Sequence, residues 1–434
     1  MMKAGKYTAA LMLLAAGTAL AVDLATGRET AAALLRWWPV VLIALGVEYL
    51  IFSLIHRDPG QKLGVAFGSL LFAAVISAAA LAAAGAWNLQ PLRDWAGEAG
   101  SFGSGLFDFG EERGNEWAME PVRVAVDGSV ASIVLRNPYG SVTVRTDDVD
   151  DIEVRGTVFV PKAKADGGEV ARASEVRIER KKDRLELAVK ARDYRILVFR
   201  HRPRVNLTVT VPRGLESDWH FELANGKVDA AGLSVRDRLL AETMNGEVVL
   251  ADIAGNVKAD TINGGIAVRN VRGDVIANTT FGRVTVEQVS GSVTADTAHG
   301  KVELRDIGGR AVADTTNGEI ILERIGGDVA ANTTNGAVTV TEAGGSVKAD
   351  TTNGDVTVST STVAGHYRLD STNGNIRLHV PDDASIEVEG ETSWGTIETD
   401  LGLETAGKEV RGIVNGGTYR ISIQTNRNIG IYAN

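Results

Sequence analysis

The chain has 434 residues, a net charge of −10, 49 glycines, six histidines and no cysteine. Without cysteine there are no disulfides, so an exported domain of this chain must be held by packing alone. The histidines (His56, His201, His220, His299, His366, His379) show no metal-ligand spacing, and no glycine opens a helix after a strand as a nucleotide-binding loop requires, so no cofactor is expected.

Residues 1–87 carry three apolar stretches, Tyr7 to Val22, Trp37 to Ile55 and Leu63 to Trp87. A bilayer span needs ~20 apolar residues, which the second and third supply and the first barely does. The first also reads as a signal peptide, since Lys3 and Lys6 precede an apolar run ending in Ala19-Leu20-Ala21. On either reading the lysines, and His56, Arg57 and Lys62 between the later stretches, lie inside by the positive-inside rule. The third helix then runs outward and everything after it is extracytoplasmic, which leaves no nucleic acid to bind. The expected location is a bacterial cytoplasmic membrane, crossed more than once, with membrane lipid as a partner.

Glu48 sits inside the second stretch, where an acid is costly and either pairs across helices or reaches the interface. Gly64 and Gly68 form a GxxxG pattern suited to helix packing. Residues 88–118, with glycines at 97, 100, 103, 105, 110 and 114, read as a flexible tether.

From Gly246 to Gly354 a glycine falls at every ninth position, thirteen times. Asn-Gly corners (Asn263-Gly264, Asn317-Gly318, Asn335-Gly336, Asn353-Gly354) alternate with Gly-Gly corners such as Gly308-Gly309, so the unit is 18 residues. Between corners the apolar residues alternate, which is strand periodicity. A fixed Ala (Ala259, Ala277, Ala295, Ala313, Ala331, Ala349) precedes a fixed Thr by two. The expected fold of residues 119–434 is an all-β parallel β-helix, or β-solenoid, of 18-residue coils, following an α-helical membrane region. Asn and Gly are expected at the corners because both tolerate positive φ, and the Asn column to bond from coil to coil. Nine residues per half favour two-sided coils, while a slip in alternation before Val289, Ile307 and Ile325 favours three. Asn137 to Val144 (NPYGSVTV) and Gly226 read as earlier coils, Gly374 and Gly395 as later ones.

Residues 171–204 stand apart with twelve Lys and Arg against five Asp and Glu, a net of +7. RIERKKDRLEL (Arg177 to Leu187) reads as an inserted hairpin. Its bases are either solvated or a site for an anionic envelope polymer or lipid headgroups. The candidate residues are Arg177, Arg180, Lys181, Lys182, Arg184, Arg200, Arg202 and Arg204.

An outward column, Asp260, Asn278, Asp296, Asp314, Asn332, Asp350 and Asp370, sets Asp296 and Asp314 one coil apart, near the separation of glycosidase carboxylates. Its uniformity argues against catalysis, because an active site breaks a repeat at one place. Calcium β-rolls need acids in successive half-coils, and here only one half carries them. No metal and no enzymatic activity are expected.

Arg36 to Leu54 (RWWPVVLIALGVEYLIFSL) resembles the membrane segment of the LiaI/LiaF-like proteins of bacterial envelope-stress systems. Residues from about 120 to 434, with ADTTNGDVTV at Ala349 to Val358, resemble an adhesin-like family of bacterial envelope proteins. The resemblance implies a β-solenoid outside the cell acting in adhesion or scaffolding. Envelope-stress signalling with membrane partners is the alternative, and a polysaccharide-cleaving β-helix a distant third. It supplies no catalytic residues.

Overall fold

The computed structural model describes residues 115–160, 167–196 and 199–434, together with residues 3–4, 18 and 64–65. The chain divides into two compact units, Met1–Glu111 and Glu112–Asn434. In the first unit Lys3–Ala4 pairs in parallel with Gly64–Val65. Gly64 and Val65 head the third apolar stretch and are extended rather than helical; glycine and β-branched residues are both weak helix formers. Apart from these two residues and Thr18, which is helical, the expected spans 7–22, 37–55 and 63–87, Glu48 and most of the tether lie outside the described residues. No helix among the described residues is long and apolar enough to cross a membrane.

The second unit is an all-β solenoid of two parallel ladders. One ladder stacks strands such as Val275–Phe281, Val293–His299, Ala311–Asn317 and Val329–Asn335. Their register is strict at 18 residues, Ala295 opposite Ala313 and Ala313 opposite Ala331. The other stacks Val284–Val289, Val302–Ile307, Ile320–Ile325 and Val338–Ala343. Each coil therefore has two paired sides. The slip in alternation is a bend within the second side: Asp252, Asn270, Gln288, Asp306, Arg324 and Glu342, each just before the third apolar residue, adopt φ of 53–58°.

The Ala column is fully buried from Ala259 to Ala349. Toward the ends of the stack the same position is filled by Phe221 and Leu135, and by Leu369 and Ile423. The interior is thus narrow only in the middle. The Thr column is buried because each hydroxyl donates to a glycine carbonyl fifteen residues back, as Thr279 does to Gly264 at 2.9 Å. A buried hydroxyl so satisfied costs little.

The expected cause of the glycine corners needs correction. At Gly264, Gly282, Gly300 and Gly318 an added Cβ would lie 1.8–1.9 Å from the carbonyl oxygen of the preceding corner glycine. Close approach of stacked backbones, not positive φ, demands glycine there. Positive φ does occur at some other glycines, such as Gly255 (φ 139°), and the left-handed positions at the bends are held by residues other than glycine.

Both ends differ from a simple continuation. At the first end, Val142–Asp147 joins the stack beside Val228–Ala231, so the coil at Asn137 to Val144 is a true member. Arg204–Pro212 then adds in parallel to Val142–Asp147 and antiparallel to Ile152–Val160. Asn115–Ala118, the last residues of the expected tether, pair with that same strand. The hairpin of Glu175–Lys181 and Arg184–Lys190 is not a mere outgrowth, since Arg184–Lys190 pairs with Ser132–Tyr139 and lengthens the first ladder. At the far end the order is exchanged: Tyr419–Thr425 inserts between Tyr367–Ser371 and Ile386–Thr392. Gly395 accordingly stacks on Arg427 and not on Gly374.

Candidate binding faces

Outward positions of the first ladder build a continuous face. Asp260, Asn278, Asp296, Asp314, Asn332, Asp350 and Asp370 form one register column along it. Strand alternation forces this column outward because the Ala and Thr on either side of it point inward. Asn278 donates to Asp260 at 2.7 Å and Asn332 to Asp314 at 2.6 Å, so each amide quiets one neighbouring carboxylate. Beside it run Thr280, Ala298, Thr316 and Thr334, and the two columns line an open groove of about 630 Å³. Toward the first end the same face turns apolar, where Pro138, Leu223, Met244 and Ile262 line a groove of about 450 Å³.

Asn263, Asn317, Asn335 and Asn353 lie on the corner edge as expected. Asn335 donates to Asn317 at 2.8 Å and Asn353 to Asn335 at 2.9 Å. Phe281 and His299 interrupt the ladder and pack ring to ring at 5.1 Å.

The eight basic candidates do not converge on one point. Arg177, Arg180, Lys181, Lys182 and Arg184 gather around the tip of the first hairpin, where Lys182 takes the left-handed turn position (φ 55°). Arg180 is held by Asp127 at 2.8 Å and Lys181 by Glu179 at 3.1 Å. Arg200 lies in the strand Phe199–His201 of a second, separate hairpin, and Arg202 pairs with Asp193 at 3.4 Å. Arg204 lies over the Phe159 ring, 4.7 Å from its centre, in a structural role the charge pattern hid.

Sequence reasoning missed an ion-pair ladder on the second side. Arg305 bridges Glu287 at 3.4 Å and Glu323 at 3.0 Å in the coils before and after it, and also pairs with the buried Glu303. Its hydrogen bond to Glu323 is the main influence lowering that carboxyl's pKa. The signal was present in the sequence as opposite charges 18 residues apart.

The Toastrack DUF4097 family model matches residues 130–427. The chain belongs to the Toastrack DUF4097 family. That match spans most of the solenoid and does not include residues 36–54. A comparison with curated proteins finds no match. Among solved structures, this Toastrack chain is similar to a "putative cell adhesion protein" from Clostridium sporogenes, at 11% identity over 74% of this chain and 100% of that one, with a TM-score of 0.19. A score so low carries no argument about function.

Proposed function

We propose that this Toastrack protein is a membrane-anchored module of the bacterial envelope that binds or scaffolds extended envelope material along the side of its solenoid, without catalysis. The observation that carries this reading is the unbroken groove beside the Asp/Asn and Thr columns, which runs past successive coils with no coil set apart. Catalysis needs a unique constellation, whereas a repeating row of hydroxyl, amide and carboxylate groups matches a repeating polymer. The apolar segments before residue 88 supply the anchor and the outward orientation.

The test is retention of the detergent-solubilised full chain on isolated cell-wall polysaccharide. Ala298→Arg with Thr316→Arg fills the groove without touching the core. Retention is expected to weaken by about tenfold, the equivalent of losing ~1.4 kcal/mol. Unchanged retention, with an unchanged melting temperature, counts against the lateral groove as the binding face.

A further inference from the structure

The two ends of the solenoid differ in charge, and both finish in open strand edges. At the first end Glu175–Lys181 pairs on one side only, with Arg184–Lys190. At the far end Ile397–Thr399 pairs only with Ile429–Ala433, and Glu404–Ala406 only with Glu409–Val414. The first cap, residues 115–217, holds nineteen Lys and Arg against sixteen Asp and Glu, and the far cap, residues 381–434, four against nine. The two caps therefore carry net charges of +3 and −5. Within the caps the contrast sharpens: residues 171–204 carry +7, while residues 382–411 carry nine acids against Lys408 and Arg411, a net of −7.

Each excess is paired internally only in part: Arg180 meets Asp127 and Lys181 meets Glu179 at the first end, while Arg411 meets Glu409 and Arg420 meets Glu389 at the far end. Arg177, Lys182 and Arg184 are exposed and form no salt bridge among the described residues. At the far end Glu391 stands directly opposite Glu409 across the antiparallel pair, an unfavourable like-charge neighbour. At the same end Trp394 is 81% exposed, with the Lys408 ammonium held against its backbone carbonyl at 3.3 Å. A bared indole offers an incoming guanidinium a face to stack on, while Glu391, Glu404 and the other acids of this cap supply its counter-charge.

We propose that the far end of one copy receives the basic end of a second copy, so that solenoids associate head to tail. A charged edge by itself guards against sheet-to-sheet aggregation. Guarding works when both ends share a sign; opposite signs attract. An anionic lipid surface would account for the basic end alone, whereas a second copy accounts for both ends. The contact is heterologous, so it propagates as a row and does not close as a dimer. It is independent of any ligand in the lateral groove.

Sedimentation velocity of the full chain in neutral detergent tests this. Species larger than the monomer are expected to grow with concentration, and the association to weaken by about tenfold between roughly 0.05 and 0.5 M salt. Arg177→Glu with Arg184→Glu, or Glu391→Lys with Glu404→Lys, should each return the protein to monomer. All four changes in one chain should restore association, which a folding defect would not do. Trp394→Ala should weaken it by about tenfold. A monomer under every condition, or association indifferent to both reversals, overturns the proposal. So does a monomer whose basic end binds phosphatidylglycerol vesicles, an outcome that assigns that end to the membrane.

Discussion

Asp296 and Asp314 stand opposite one another in adjacent coils, in register, with no amide between them. Asp350 and Asp370 repeat that arrangement further along, whereas Asn278 caps Asp260. Desolvation by the neighbouring coils, and then the Asp314 charge, raise the Asp296 carboxyl above its usual pKa. A folded state that holds this proton more tightly than the unfolded chain has the associated stability below the unfolded pKa, and loses it as pH rises through the folded value. Asp296→Asn should therefore stabilise the solenoid at neutral pH, by about 0.5–1 kcal/mol given the site's exposure. The gain should fade as pH falls through the raised folded value, where the unaltered carboxyl takes up its proton. Thermal melts of both proteins at pH 7 and pH 4 measure the difference, and equal stability at pH 7 refutes it.

The corner glycines make a sharper prediction. A Cβ on Gly318 would sit 1.8 Å from the Gly300 carbonyl oxygen, whereas on Gly265 the nearest atom would be 3.4 Å away. Gly318→Ala must push two coils apart and should cost ~3 kcal/mol or more, while Gly265→Ala should stay within about 0.5 kcal/mol. Denaturation midpoints in urea compare the two. Similar losses at both sites would mean that backbone entropy, and not stacking distance, keeps the glycines.

Much of this architecture could be read from the chain because its causes recur. The 18-residue period, the Asn-Gly corners and the Ala and Thr columns repeat, and each repetition reinforces the same register. The two-sided coil stayed ambiguous because the bend residue varies: Asp252, Asn270, Gln288, Asp306, Arg324 and Glu342 share a backbone conformation but no side-chain type. The exchange of the last coils was hidden for another reason. Tyr419–Thr425 resembles Ile386–Thr392 in pattern, and alternation alone does not say which of two similar strands lies next to Tyr367–Ser371. For the basic segment, net charge was legible but pairing was not, since Arg180 meets Asp127, 53 residues earlier.

The bends offer a test of stored backbone strain. Gln288 adopts φ 58° with a side chain that gains no special tolerance for it, while Asn270 serves the same place one coil earlier. A non-glycine left-handed residue costs roughly 1–2 kcal/mol, and Asn and Gly escape most of that. Gln288→Asn should raise stability by about 0.5–1 kcal/mol, and Gln288→Gly by less because glycine loses more entropy on folding. Calorimetric melts of the two variants decide; a loss in both would show that Gln288 is held there by contacts worth more than the strain.

The Asn ladder yields the last prediction, because the chain carries its own interruption for comparison. Asn335 receives a hydrogen bond from Asn353 and gives one to Asn317, so Asn335→Ala severs two bonds. Each is exposed and worth about 0.5–1 kcal/mol, giving an expected loss of ~1–2 kcal/mol. At the break, Phe281 meets His299 ring to ring with no such bond between them, and His299 keeps only a long contact to Asn317 at 3.5 Å. Restoring asparagine at both places would extend the ladder from Asn263 to Asn317, replacing an aromatic contact of about 0.5–1.5 kcal/mol and the long His299–Asn317 contact with three amide bonds. The double variant Phe281→Asn, His299→Asn should then be as stable as the parent or about 1 kcal/mol better. A clear loss in urea denaturation would show that the ring pair stabilises these two coils more than the amide ladder it displaces.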